Sequence, residues 1–518
     1  MVTAKEIIES IPSRFRKEKC EGYNAVVHLN LSGAAPLQYT IRIAAQQCTV
    51  SVGLHFEPDC EVVASAENYA ALETGTLNPQ WALVSGKVKV SNVATMLRFT
   101  KCFRRFEKVH ESKLQHEEAK LKNVERPMLA GPLSGVKIVD FTRLLPGPIA
   151  TMFLAQQGAE VIKIEDPDNP DYIRSFEPQV AGVSAYYLSL NANKKSVAIN
   201  FLTQEGRACL LKLIKTADVL VEQFRPGVMK KFGLDFETLS AINPQLIYVS
   251  ITGYGATSFR AKAAGHDMNY IAESGLPFIT GTEPTLPGFQ AADVAGGAYM
   301  AMNAITTALF QRTKDGKGTY INVAMADCVL PLMALPLAAQ QLQQQPLTAE
   351  NFELAGSIAN YNVYQCADKK YIALGALEPK FWSAFCQMVH KPEWQEKIIA
   401  SKEEVAILKQ EVATLFYSKN RGEWLQIFAE ADVCVSPLND VSEVLQSPYF
   451  SQQKMFIETE ITPDKKLQIL RHPVEFGQSD FSKFWSAPTL GEDTAAVLSA
   501  IGVDEKNIKE LAAKGIVK

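Results

Sequence analysis

The chain lacks most of the short motifs that announce a chemistry. It has no Cys-x-x-Cys pair, no Gly-x-Gly-x-x-Gly, no P-loop, no His-Glu-x-x-His and no Gly-x-Ser-x-Gly. These absences exclude a cysteine metal site, a glycine-fingerprint dinucleotide fold, a P-loop nucleotidase, a zinc protease and a serine hydrolase. An excess of basic residues is lacking too: 52 Lys and Arg stand against 56 Asp and Glu, a net charge of −4. The chain therefore has no overall basic footprint for nucleic acid. Long apolar runs are missing; the longest, 329–339, is too short to span a bilayer and holds Pro331 and Pro336. The start, MVTAKEIIES, has no apolar core for a signal peptide, and the end, GIVK, carries no retention or peroxisomal address. A soluble, cytoplasmic protein without a transmembrane segment is expected. The nine cysteines are scattered and odd in number, which reads as reduced, mostly buried thiols.

What is there is a globular balance. The 518 residues are 47% hydrophobic and 21% charged, enough for three or four folding units. Composition shifts once. In RRFEKVHESKLQHEEAKLKNVER, residues 104–126, about half of the side chains are charged. That stretch reads as a solvated tether. It separates a domain at 1–108 from a linker at 109–130 and from about 390 residues beyond.

The first segment alternates like strands in YNAVVHLNL, PLQYTIRIAA, CTVSVGLHF and CEVVASA. Helical stretches follow at AENYAALETG and WALVSG, then a strand at GKVKVSN and a helix at VATMLRFTKCFRRF. An α+β fold follows, an antiparallel sheet covered by helices. His28 and His55 are isolated and read as structural.

In this order of elements, and in TGTLNPQWALVSGKVKVSN, the segment resembles the sterol carrier protein type-2 lipid-transfer domain, with Asn92 where the family often has Gly. The resemblance implies an apolar tunnel for a lipid, fatty acyl chain or acyl-CoA. The alternative is a carrier-like fold kept for dimerisation or docking.

The second segment opens with PLSGVKIVDFTRLLPGPIATMFLAQQGAEVIKIEDP. It reads as a strand at 136–141, a turn at 146–148, a helix at 149–157 capped by Gly158, and a strand at 159–165. This is a βαβ unit, hence a parallel, doubly wound α/β sheet. KSVAINF, DVLVEQF and LIYVSITGYG continue it as strands. Polar density gathers at three places. AAGHDMNY holds His266 and Asp267, AADVAGG holds Asp293 before a Gly pair and a long helix, and LGALEPKFW holds Glu378. An acid at a glycine-flanked helix start suits reactive chemistry. The glycines admit a substrate to the backbone and the helix N–H groups face an oxyanion. Asp293 as a plain N-cap and His266 as a hydrogen-bonded loop residue are the structural alternatives.

The stretches PLSGVKIVDFT, GAEVIKIE, VLVEQFRPGVMKKFGLDFETLSAINPQLIYVSITGYG and GKGTYINVAMAD resemble the class III CoA-transferase (CaiB/BaiF) family over almost all of residues 130–518. AGHDMNYIAESG, YNVYQCADKKYIALGALEPKFW and ADVCVSPLNDVSEV are similar to its α-methylacyl-CoA racemase branch. The resemblance implies a large domain at 131–350, a small domain at 351–460 and a return to the large domain at 461–518. It implies two chains interlocked as a homodimer, the stretch around Glu378 completing the partner's site. No cofactor or metal is implied; coenzyme A enters as part of the acyl-CoA substrate.

Carried over to this chain, His266 and Asp293 become the acid/base pair facing the α-carbon of the thioester, and Glu378 orients His266. For CoA, FRPG places Arg225 after a strand, at the ligand-binding edge of such a sheet. Asn193, Lys194 and Lys195 in NANKKS lead into the strand that in the family lines the adenine pocket, here with Ile199 and Asn200. A solvated surface pair is the alternative for the two lysines. Gly265, Asp267 and Tyr270 in the histidine loop complete the set. Two positions depart from racemase relatives: Asp166 replaces an arginine after the second strand, and Phe289 stands where a relative can carry Asn, four residues before Asp293. The expected function is inversion of the 2-methyl centre through an enolate, beside an attached carrier domain. The alternatives are CoA transfer through an Asp293 anhydride and a non-catalytic lipid-binding protein.

Overall fold

The computed structural model describes residues 3–518 apart from 18–19, 21, 34, 75–76, 78, 104–105, 107–129, 181, 400, 463–464 and 478–483. The charged tether falls almost wholly outside the described residues.

The alternating segments of the first domain become β1 (Ala25–Ser32), β2 (Leu37–Ala44), β3 (Gln47–Val52), β4 (Cys60–Ser65) and β5 (Val88–Val90). Their order in the sheet is β3-β2-β1-β4-β5. The sheet is mixed, not wholly antiparallel as the alternation suggested, because β1 and β4 pair in parallel. A parallel pair needs a crossover, and β2 and β3 form it here. One face of β1 and β2 (Val27, Leu29, Leu31, Ile41, Ile43) is closed by Ile7, Ile8, Tyr69 and Phe99. His28 is buried and its ring nitrogen meets the His55 carbonyl at 3.0 Å, so both histidines are structural.

Cys20 and Cys102 form a disulfide, with Cα atoms 5.7 Å apart. This corrects the expectation of thiols alone. The two ends of the domain are brought together by a Phe15–Phe103 bridge and by the Arg16 N–H donating to the Cys102 carbonyl at 2.8 Å. Cys60, Cys209, Cys366 and Cys386 are buried free thiols.

The large domain is a six-stranded parallel sheet of β6 (Lys137–Asp140), β7 (Glu160–Glu165), β8 (Lys194–Ala198), β9 (Val219–Glu222), β10 (Ile247–Thr252) and β11 (Tyr320–Ala324). Its order is β8-β7-β6-β9-β10-β11. Both faces are covered, so β9 and β10 are nearly continuous buried runs, while β7 and β8 carry the buried Lys163 and Lys194. The tripeptide 146–148 is not a turn but the first turn of the helix Pro146–Gln156, the place where proline fits a helix. The C-terminal residues lie along β8: the Asn200 N–H donates to the Ile516 carbonyl at 2.7 Å, and the Lys518 N–H to Ala198 at 3.1 Å. A smaller unit has an antiparallel sheet of β12 (Tyr361–Gln365), β13 (Tyr371–Gly375) and β14 (Val435–Leu438). Its core is aromatic, built on Trp382, Phe385, Phe416, Trp424 and Phe428. No helix among the described residues is long and apolar enough to cross a membrane.

A buried ionic network joins the carboxyl end of β6 and the middle of β7 to Lys194 at the amino end of β8. Lys194 Nζ reaches Asp140 Oδ2 (3.1 Å), the Pro148 carbonyl (2.8 Å) and Asn191 Oδ1 (2.9 Å). Lys163 Nζ donates to Asp171 Oδ2 (3.0 Å) and to the Thr142 carbonyl (2.7 Å). Arg174 pairs with Glu165 at 2.5 Å. Burial opposes the charge on Asp140, but Lys194, Lys163 and two threonine hydroxyls outweigh it and hold the carboxyl below its ordinary value. Burial brings Lys194 down to about 8.

Candidate active site

In this strand order the chain runs from β6 outward on one side and returns at β9 on the other. The crevice outside the ends of β6 and β9 is the topological switch point where open α/β sheets take ligands. Two loops meet there. Gln223 joins them: its Oε1 accepts the Gly147 N–H at 3.1 Å and its Nε2 donates to the Arg143 carbonyl at 3.0 Å. The Arg143 guanidinium stands 5.6 Å from the Phe224 ring centroid and donates to the Asn169 carbonyl at 3.2 Å. Arg225, in the loop after β9, is exposed. Arg143 was missed in the sequence, although the residue three past the first strand's end was the signal. Asp166, the departure noted above, closes a turn by accepting the Asp168 and Asn169 N–H groups at 2.8 and 3.1 Å.

The loop after β10 carries His266 into the start of the helix Asp267–Ser274. The Tyr270 hydroxyl donates to the Gly265 carbonyl at 2.6 Å, and the Tyr270 ring packs edge-on to Tyr254, centroids 5.1 Å apart. A Cβ on Gly265 would stand 2.7 Å from the Tyr270 ring, so glycine there serves this packing. His266 is exposed, and its backbone N–H donates to Asn269 Oδ1 at 3.0 Å.

Asp293 lies on a π-helical stretch, Ala292–Tyr299, that leads into the helix Met300–Asp315. Such stretches are rare and concentrate at functional sites. The Asp293 N–H donates to Asp267 Oδ1 at 2.9 Å. That bond sets the histidine loop beside the Asp293 turn. Burial, and secondarily the Asp267 carboxylate, push the Asp293 carboxyl up to about 7. Burial lifts the Tyr270 phenol to about 12, with Asp293 adding to it and Arg225 opposing. Asp293, Asp267, Tyr270, Tyr254 and Arg225 thus share one electrostatic neighbourhood.

Several expected roles change. The Ala292 and Asp293 N–H groups bond Asp267 and the Val294 N–H bonds the Gln290 carbonyl, so these donors do not face an oxyanion. The Gly pair does not open the backbone to a substrate. A Cβ on Gly296 would stand 2.8 Å from the Met325 carbonyl, and one on Gly297 2.9 Å from Pro146 Cβ. Both glycines permit close packing of the π-helical stretch on its neighbours. Gly297→Ala is expected to lower stability by about 1–3 kcal/mol through overpacking, read as a shift of the urea midpoint.

Lys194, expected at CoA, is fully buried on Asp140 and is not available to a phosphate. Lys195 is partly exposed but paired with Glu160 at 2.5 Å. Asn193 is buried with a left-handed backbone, and its side-chain amide has no hydrogen-bond partner among the described residues. Ile199 is buried and bridged to Val517, and Asn200 Oδ1 accepts the Leu202 N–H at 3.1 Å. Glu378 sits exposed at the N-cap of the helix Pro379–Met388 in the smaller unit. Among the described residues no hydrogen bond joins it to His266. Phe289 is 64% exposed and offers Asp293 no polar support; Asp267 binds the Asp293 turn instead. The described residues contain no cluster of metal-ligating side chains.

The loops at the carboxyl ends of β6 and β9 carry Arg143 and Arg225, and burial raises the Asp293 carboxyl toward neutrality. The chain belongs to CoA-transferase family III, whose family model matches residues 133–494. The SCP-2 sterol transfer family matches residues 4–104. Among curated relatives, the succinyl-CoA:glutarate CoA-transferase of Homo sapiens is 34% identical, covering 74% of this chain and 90% of its own length. The alpha-methylacyl-CoA racemase of Homo sapiens is 31% identical, covering 74% of this chain and 97% of its own. Of solved structures, a CAIB/BAIF family protein from Brucella suis superposes with a TM-score of 0.63 at 31% identity, over 72% of this chain and 100% of that one.

Proposed function

We propose that the protein is a 2-methylacyl-CoA racemase with an attached lipid-binding carrier domain. The observation that carries this reading is the Asp293 carboxyl, raised to about 7 on a turn tied to the histidine loop. Inversion needs one group to take the α-proton and another, on the opposite face, to return one. An imidazole and a carboxyl of matched affinity for protons can exchange those roles. In this scheme His266 removes the proton from one epimer and Asp293 donates to the far face; the other epimer reverses the roles. The Asn269 N–H already bonds the His266 carbonyl at 2.8 Å, so in this scheme the enolate oxygen would take the Asp267 and Met268 N–H groups at the start of the helix Asp267–Ser274. Arg225 and Arg143 bind the CoA phosphates at the switch point.

Glu378 would reach His266 from a second protomer in an interlocked homodimer. Leu332, Leu335 and Leu342 are 52, 63 and 92% exposed in the single chain, a surface that a second copy would cover. The carrier domain would hold apolar acyl chains close to the enzyme and raise their local concentration.

A second reading, CoA transfer with Asp293 as nucleophile, is favoured by the 34% identity to a CoA-transferase and by Phe289. Deuterium separates the two. Racemase chemistry predicts wash-in at the α-carbon of a 2-methylacyl-CoA in D₂O without any acceptor acid. His266→Ala is expected to lower inversion of the 2-methyl centre by about 10²–10⁴-fold while sparing any CoA transfer. Acceptor-dependent CoA exchange without wash-in would overturn the racemase reading.

A further inference from the structure

Two carboxyl groups meet where the histidine loop touches the π-helical stretch. Asp267 Oδ1 accepts the Asp293 N–H at 2.9 Å, and the same carboxylate takes the Ala292 N–H. The cap is tertiary, reaching 26 residues along the sequence. It is half-buried, and burial raises Asp267 while the two N–H groups oppose that rise.

The other groups around Asp293 are otherwise committed. On the same helix as Asp267, the Tyr270 hydroxyl donates to Gly265, and Glu273 is ion-paired with Arg260. Tyr254, on the loop after β10, accepts from Arg260 at 3.0 Å. Arg225, on the loop after β9, acts on Tyr270. Asp327 belongs to the helix Met325–Val329, which packs on the π-helical stretch. The charged group that acts on Asp293 itself is Asp267.

We propose that Asp267 is a positioning residue that works through Asp293. Its carboxylate fixes the turn that carries Asp293, and its negative charge adds to burial in disfavouring loss of the Asp293 proton. This deepens the racemase reading and rests on it for Asp293 as a proton-transfer group. It also places the first two donors of the π-helical stretch on a protein carboxylate, where a helix start would otherwise offer them to the substrate.

The test uses the full-length chain with D267N and D267A. Asparagine keeps an acceptor oxygen for both N–H groups and removes the charge, so it carries the test even where D267A fails to fold. Two readouts are taken: the pH profile of α-proton exchange and the infrared band of the protonated Asp293 carboxyl, identified by its loss in D293N. In D267N the acid limb of the profile and the midpoint of the band are expected to move down by about one pH unit, with KM for the acyl-CoA little changed. D267A is expected to lose kcat as well, because the turn is released. Unmoved limb and band in D267N, with a raised KM, would overturn the proposal and return Asp267 to CoA binding. A parent protein that exchanges no α-proton while its band still moves in D267N sinks the racemase reading and leaves the positioning role standing.

Discussion

Asp293→Asn is expected to suppress inversion of the 2-methyl centre and yet make the folded chain more stable above neutral pH. The loss of inversion follows from removing one of two proton-transfer groups, an effect of about 10²–10⁴-fold. The gain in stability follows from the carboxyl's displacement from 3.8 to about 7 by burial and by Asp267. In the unfolded chain the group ionises near its ordinary value. In the folded chain it resists ionisation until about pH 7. Across that window the unfolded state loses its proton first, so stability falls as pH rises, and the whole penalty is present above about 7. The displacement corresponds to at most about 4 kcal/mol. Asparagine carries no such penalty. The urea midpoint of D293N should match the parent near pH 4 and exceed it most near pH 8. A difference that does not change with pH would show that Asp293 ionises normally.

The second large effect concerns the buried network. Lys194→Met is expected to cost about 3–5 kcal/mol, because it removes the lysine bonded to the fully buried Asp140 carboxylate. Lys163 remains near but is committed to Asp171 and Thr142. Replacing both partners, as in D140N/K194M, should recover much of the loss, since no unpaired charge is left inside. Denaturant midpoints of the single and double variants measure this coupling directly. A raised KM for acyl-CoA in K194M with unchanged stability would instead restore Lys194 to the CoA site.

The same lysine shows where reading a sequence stops. In NANKKS two adjacent lysines look equivalent. Alternation along β8 turns their side chains to opposite faces; one meets the buried Asp140, the other Glu160 near the surface. No pattern in the hexapeptide distinguishes them. The Gly pair after Asp293 was equally ambiguous. Glycine serves close approach, but whether a substrate or a neighbouring helix comes close depends on residues 29 positions on, at Met325. Cys20 and Cys102 were also unreadable as a pair, because their meeting depends on how both ends of the carrier domain close its sheet.

Local chemistry was legible. Apolar alternation marked the carrier strands, and the βαβ order of VKIVDF and AEVIKIE marked the parallel sheet, because burial on one face or on two leaves such patterns in the chain. Thr203, Asp235 and Asp504 stand at helix starts as N-caps, each accepting a backbone N–H three residues on. The long family-like stretches placed both domains in order, and His266, Asp293 and Glu378 stood out as polar residues at strand and helix ends. By itself, then, the sequence determined the classes of fold, the order of the domains and the residue types available for chemistry. Tertiary structure alone decided the direction of β4, the burial of Lys194 and the bond from Asp267 to the Asp293 turn. Strand direction, burial and carboxylate proximity arise between segments far apart in the chain, and the field that moves a proton is set by those distances.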